Sequence, residues 1–248
     1  MSKIKVLGID LAKNIFQLHG VDCSGKVVLQ KRLSRSKLTE FITNLPSCLI
    51  GMEACGGVHY WARKFQSFGH EVKLMSPQYV KPYVKTNKND YNDAEAICEA
   101  DARPSMHFVP VKSLEQQDIQ TLHRIRSRLV CERTGLINQI RGLLAEYGIV
   151  IAQGASHLRK ALPSLIEMSP GQLTPMAQSL CWDLYEQLQE IDKKVEYYDI
   201  KVRELCKSSE VCQRLMQVEG VGPLTATALI ATVGDGKVFH KARQLDRK

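Results

Sequence analysis

Four acidic residues have the spacing that a hard-metal site would need. Asp10 follows the apolar run 4–9, and Glu53 closes the run 48–53. Asp90 and Asp93 lie three apart in Lys88-Asn89-Asp90-Tyr91-Asn92-Asp93-Ala94. On a helix that spacing puts both carboxylates on one face, at an end whose partial positive charge offsets theirs. Four carboxylates brought together repel, and hard divalent cations with oxygen ligands relieve the repulsion. Two such ions roughly 4 Å apart activate a water or hydroxyl and stabilise the leaving oxygen of a phosphodiester. The chemistry expected is phosphoryl transfer on nucleic acid with Mg2+ or Mn2+. Each acid alone has a structural alternative: Asp10 as a turn or cap residue, Asp90 as an N-cap with Asp93 as its partner. The ordered set of four carries the inference.

The elements that position these acids follow from periodicity. Residues 4–9 are short, apolar and β-branched, as a buried strand requires. Residues 14–21 and 26–33 read as two more strands, separated by the turn Asp22-Cys23-Ser24-Gly25. A helix over 36–45, a strand over 48–53, an amphipathic helix over 57–68 closed by Gly69, and a strand over 71–75 follow. A helix opens near Asp90 and runs to about Ala102. The order β-β-β-α-β-α-β-α predicts a mixed sheet with helices packed on it. If strand 48–53 is parallel to the first strand, a right-handed crossover sets it alongside. Asp10 and Glu53 then project from the carboxyl edge of the sheet, the usual place for a site. His59, Tyr60 and Trp61 form a tempting cluster, but a helix face packed on the sheet accounts better for Trp61.

Beyond about Pro110 the pattern turns helical. Residues 114–147 lack proline, with apolar positions Leu122, Ile125, Leu129, Leu136, Ile140, Leu143 and Tyr147. A second run, Leu184, Leu188, Ile191, Val195, Tyr198, Val202 and Leu205, alternates by four and three over three heptads. A turn-rich connector with Gly154, Pro163, Pro170, Gly171 and Pro175 separates them. An antiparallel coiled-coil hairpin, a dimer seam and two helices of an ordinary bundle all satisfy this pattern. Arg124, Arg126, Arg128, Arg133 and Arg141 either track a nucleic-acid backbone or form a solvated helix face. In Val218-Glu219-Gly220-Val221-Gly222-Pro223, Gly220 and Gly222 fit the tight turn of a helix-hairpin-helix, with Pro223 at a first-turn position. Backbone donors there can hold a phosphate without reading a base. The structural alternative is a packing corner.

Composition agrees with a nucleic-acid partner. The 248 residues carry a net charge of +8, with 44% hydrophobic and 24% charged residues. The N-terminus shows no signal peptide, and no apolar run reaches membrane-spanning length. The 8 cysteines include no Cys-x-x-Cys pair or zinc-ligand spacing. A cytoplasmic protein with reduced thiols is expected.

Gly8-Ile9-Asp10-Leu11-Ala12-Lys13, Met52-Glu53-Ala54-Cys55-Gly56-Gly57, the Asp90/Asp93 pair and the Gly-Val-Gly-Pro turn resemble the DEDD transposases of bacterial insertion sequences, of the IS-one-ten and IS-eleven-eleven type. The resemblance spans nearly the whole chain. It implies an α/β ribonuclease-H-like, resolvase-like domain over 1–108, with Asp10, Glu53, Asp90 and Asp93 as catalytic, metal-binding residues. A helical coiled-coil region over 109–208 and a helix-hairpin-helix over 209–248 would follow. It further implies DNA strand cleavage and joining, a structured guide RNA and a homo-oligomer, dimer or tetramer. Lys88 joins Gly220 and Gly222 as an expected DNA contact. In the family a nucleophilic serine lies in a Ser-Gly-Gly-type stretch further on, and the sequence ends at Asp246-Arg247-Lys248 before any such motif. The chain therefore reads as a truncated or frame-interrupted member, one that could bind nucleic acid yet fail at recombination. A Holliday-junction-type nuclease and a non-catalytic DNA- or RNA-binding remnant are the alternatives. An acetate-kinase-like phosphotransferase would need glycine-rich phosphate loops, and Ala54-Cys55-Gly56-Gly57 is the nearest approach to one.

Overall fold

Alternation of buried and exposed residues builds the first hairpins. In β1 (Val6–Leu11) Leu7 and Ile9 are fully buried, and in β2 (Ile15–Val21) Phe16 and Leu18 are. β3 (Val27–Ser34) returns antiparallel to β2. The intervening turn is closed by Asp22, whose Oδ1 accepts from the Ser24 and Lys26 amides and the Ser24 hydroxyl. These positions belong to a computed structural model that describes residues 3–83, 90–101, 106, 108–168 and 172–234, with the backbone alone at Asp90, Tyr91 and Met168.

α1 (Arg35–Thr43) leads to β4 (Leu49–Glu53), α2 (Val58–Ser67) to β5 (Glu71–Met75). A single turn, α3 (Pro77–Val80), precedes α4 (Asp90–Asp101) and the short β6 (Phe108–Val109). The sheet order is β3-β2-β1-β4-β5-β6. β4 lies beside β1 and parallel to it, with Ile9 opposite Met52, which meets the condition set on the crossover. This is the mixed α/β sheet the element order predicts.

The two faces of the sheet differ in chemistry. Leu7, Ile9, Phe16, Leu18, Ile50, Met52 and Leu74 meet Leu38 and Ile42 of α1 and Trp61, Ala62 and Phe65 of α2 in one apolar cluster. Trp61 is thus a core residue. The opposite face, covered by α4, carries Gly8, Asp10, Gln17, His19, Gly51, Glu53 and Met75, by the strand alternation. Ala96, Ile97 and Ala100 of α4 pack with Met75 and Val80 there. His70 ties the far end: its Nε2–H donates to the Ile42 carbonyl at 3.0 Å, and its Nδ1 accepts from the Cys48 amide at 3.3 Å.

The chain divides into two compact units, Met1–Ser113 and Leu114–Lys248. In the second, α5 (Leu114–Ala145) and α7 (Pro175–Ser208) pack antiparallel, since Arg126 meets Asp199 while Arg133 meets Asp192. Leu188, Ile191, Val195 and Val202 of the expected α7 seam are buried, whereas Leu205 is exposed. On α5 the buried face is Leu136, Ile137, Ile140 and Leu144, so Ile125, Leu143 and Tyr147 lie off it. The connector contains an unexpected helix, α6 (Ala155–Met168), which runs through Pro163. Its stripe Leu158, Leu162, Ile166 is buried against both long helices, and that burial outweighs the helix-interior proline. α8 (Glu210–Leu215) and α9 (Pro223–Val233) complete the unit. Among the described residues no helix is long and apolar enough to cross a membrane.

Candidate active site

Asp10 and Glu53 reach the same edge for a topological reason. The parallel register pairs Ile9 with Met52, so the next residues along β1 and β4 are Asp10 and Glu53, side by side and on the α4 face. α4 approaches unusually close because Gly8 has no side chain. A Cβ there would run into the Ala94 carbonyl and lie 2.9 Å from the Cys98 amide nitrogen. Gly51 serves the same purpose one strand over, where a Cβ would meet Ile97 at 3.3 Å and Asp101 at 3.4 Å. This contact brings Asp93, near the start of α4, to Glu53.

The electrostatics record the gathering. Burial first, and Asp93 second, push the Glu53 carboxyl above the usual glutamate range. The neighbouring Cys55 thiol is raised by burial and then by Glu53 and Asp10. Asp10, Glu53 and Asp93 therefore share one electrostatic neighbourhood. Asp90 is the first residue of α4, but its side chain, like the whole of Lys88, lies outside the described residues. Among the described residues no three His, Cys, Asp or Glu side chains stand as a ready metal cage. The donor set nonetheless suits Mg2+ or Mn2+. All its donors are carboxylate oxygens, and a divalent cation would relieve the repulsion that raises Glu53.

Two neighbours escape sequence reading. Gln17 lies opposite Asp10 in the β1–β2 register, is 4% exposed, and its Oε1 has no hydrogen-bond partner among the described residues. Strand alternation across the hairpin was the signal that could have found it. Cys55 could have been found as the second residue past Glu53. His59 proves structural: its Nδ1 accepts from the Lys112 amide at 3.2 Å while Arg63 donates to the Lys112 carbonyl. Burial, Lys112 and Arg63 lower the His59 pKa to about 4.

Sequence comparison gives this geometry a family. A family model of the DEDD, IS110 type, described as Transposase, matches residues 7–149, and a second, described as Transposase IS116/IS110/IS902 family, matches residues 212–247. This chain belongs to the IS110-type DEDD transposases. It is 44% identical over 239 residues to a probable family 20 transposase of Pseudomonas aeruginosa, covering 96% of this chain and 71% of that protein. It is 46% identical over 245 residues to the transposase for insertion sequence element IS1111A of Coxiella burnetii, covering 99% and 67%. The transposase for IS1328 of Yersinia enterocolitica is 40% identical over 248 residues, covering 98% and 72%.

The first matched stretch of this transposase contains all four carboxylates, and the second contains Gly220 and Gly222. Gly220 takes a left-handed φ of 83° in the turn, and Gly222 is the N-cap from which α9 starts at Pro223. The arginines of α5 are mostly committed within the chain. Arg126 pairs with Asp199, Arg133 with Asp192, and Arg141 donates to the Ala152 and Gly154 carbonyls at 2.8 Å. The basic segment from Lys237 to Lys248 lies outside the described residues.

Proposed function

We propose that Asp10, Glu53, Asp90 and Asp93 bind Mg2+ or Mn2+ and that this transposase cuts and joins DNA strands at them. The observation that carries the reading is the adjacency of Asp10 and Glu53 at the ends of parallel strands, with Asp93 charged against Glu53. A bound divalent cation would supply Lewis-acid stabilisation of the phosphodiester oxygens. The chain's own residues set the geometry. Two rigid strands hold Asp10 and Glu53, α4 carries Asp93 in its first turn, which Asp90 opens, and Gly8 and Gly51 let that helix close down. Glu53, with its raised affinity for a proton, keeps one more readily than an ordinary glutamate until a cation displaces it.

The remaining contacts extend the same reading. Gly220 and Gly222 offer backbone donors to a phosphate at the start of α9, and Lys88 is a further DNA contact. A structured guide RNA selects the DNA, and the working form is a dimer or tetramer in the cytoplasm. Val150 and Met176, exposed at 89% and 73%, are apolar side chains that such an assembly would cover.

Calorimetric titration of Mn2+ into the wild type and into Asp10→Asn/Asp90→Asn tests the metal site. Saturable binding lost in the double variant is the expected result, and equal binding in both defeats the reading. Branched and linear DNA are then incubated with Mn2+. Joined products support a transposase, whereas hydrolysis without joining would assign a Holliday-junction-type nuclease. DNA binding with no cleavage, insensitive to Asp10→Ala, would assign a non-catalytic binding protein.

A further inference from the structure

The edge that carries the carboxylates has a cationic side. β3 runs parallel to β1, so Ser34 reaches the same edge as Asp10 and Glu53, and α1 starts there at Arg35. α2 starts five residues after Glu53 and lies with α1 on the sheet face opposite α4. Neither helix has an acid in its first turn or a side-chain N-cap hydrogen bond, so no acidic or capping side chain offsets either positive end. The Arg35 amide donates to the Asn14 carbonyl at 3.2 Å, which ties the loop leaving Asp10, with the exposed Lys13, to α1.

Aromatic rings hold the cations in place. The Arg35 guanidinium lies 4.9 Å from the Trp61 ring centroid and 5.8 Å from that of Tyr60. Lys64 lies 5.5 Å and 5.7 Å from the same two rings and donates to the Thr39 hydroxyl at 3.1 Å. Tyr60 is 45% exposed. Residues 26–39 contain five basic residues and no acid. Among the described residues, Lys13, Arg35, Lys37 and Lys64 form no ion pair. Cations that an aromatic ring orders in advance lose less entropy when they bind, and among the described residues no carboxylate neutralises them.

We propose that this surface is the track for the DNA backbone flanking the phosphodiester held at the carboxylates, with Arg35 and Lys64 binding phosphates and Lys13 and Lys37 extending the track. It rests on the reading of the carboxylates as the place where DNA is cut. DNA is favoured over RNA by continuity: Lys13 is three residues from Asp10, so a strand placed on the acids crosses this edge. The rings serve as supports that keep Arg35 and Lys64 pointed outward.

Fluorescence anisotropy with a short DNA duplex, titrated with salt, tests the track. Each lost phosphate contact lowers the slope of log affinity against log salt by about 0.9. Arg35→Gln/Lys64→Gln and Lys13→Gln/Lys37→Gln should each lower it by about 2, and the charge-preserving Arg35→Lys/Lys64→Arg should keep it. Lys13 and Lys37 are both exposed, so their result stands even where loss of Arg35 from Trp61 weakens folding. Unchanged slopes in both glutamine pairs overturn the proposal, and slopes lowered on RNA of the same sequence but not on DNA overturn the choice of DNA. Mn2+ calorimetry on the same proteins separates the two readings. No Mn2+ binding in the wild type sinks the metal site, whereas intact Mn2+ binding with unchanged salt slopes sinks the track alone.

Discussion

In the helical unit Asp192 lies between two arginines, 2.6 Å from Arg159 and 3.4 Å from Arg133, and Asp199 accepts from Arg126 at 2.5 Å. In the α/β unit Glu53 and Asp93 instead face each other, and burial makes the encounter worse. The first arrangement holds helices together: each arginine lowers the cost of a partly buried carboxylate on α7, with Arg126 and Arg133 tying α5 to it and Arg159 tying α6. The second arrangement costs stability, and under the proposed reading a divalent cation would relieve it. Asp101 is a third case. It is 5% exposed at the end of α4, and among the described residues neither of its oxygens has a hydrogen-bond partner.

Asp101→Asn gives the largest expected change in stability. Burial, opposed in part by Lys73, pushes the Asp101 pKa to about 6, from an ordinary value of about 3.9. A raised carboxyl pKa means the folded state binds the proton more tightly, so stability is greatest at low pH and falls as pH rises from about 4 through about 6. The asparagine variant should gain up to about 3 kcal/mol at pH 8 and nothing at pH 4, measured by urea unfolding at both values. A wild type equally stable at the two pH values would place Asp101 with the compensated acids of the helical unit.

Gly8→Ala comes next. Overpacking against the α4 backbone should cost about 1–3 kcal/mol and shift Asp93 away from Glu53, weakening Mn2+ binding. An alanine variant with unchanged calorimetry would show that close approach of α4 is not what assembles the acids. Asp192→Ala strands Arg133 and Arg159 and should cost about 1–2 kcal/mol, after allowance for the partial exposure of the pair, read from the urea midpoint. Glu53→Gln sharpens the contrast by sign. It should raise metal-free stability at neutral pH by less than about 1 kcal/mol while weakening Mn2+ binding. A fall in stability would mean that Glu53 is structural.

Much of the α/β unit was legible because its signals are local. Alternation in 14–21 and 26–33, the Asp22 turn and the apolar run before Glu53 each sit within a few residues, whereas the crossover rule placed 48–53 beside the first strand only on the condition of parallel pairing, which the register meets. The helical unit was less legible. Its arginines read equally as a nucleic-acid track or a solvated face, because the partners that decide the matter lie 73 and 59 residues away. α6 was read as part of a turn-rich connector because Pro163 is a strong local breaker, and a local reading cannot weigh it against burial of Leu158, Leu162 and Ile166.

The sequence by itself determined the acids, their order and the strands that end in Asp10 and Glu53, because strand alternation and helix spacing are properties of the chain. Only tertiary structure decided which side chains stand beside them. Gln17 opposite Asp10, Asp93 against Glu53 and the Arg35–Trp61–Lys64 stack come from register and helix crossing. Those depend on contacts between distant segments, above all on Gly8 letting α4 lie against β1. A glycine in a strand reads as weakness until the helix that needs its empty space is in view.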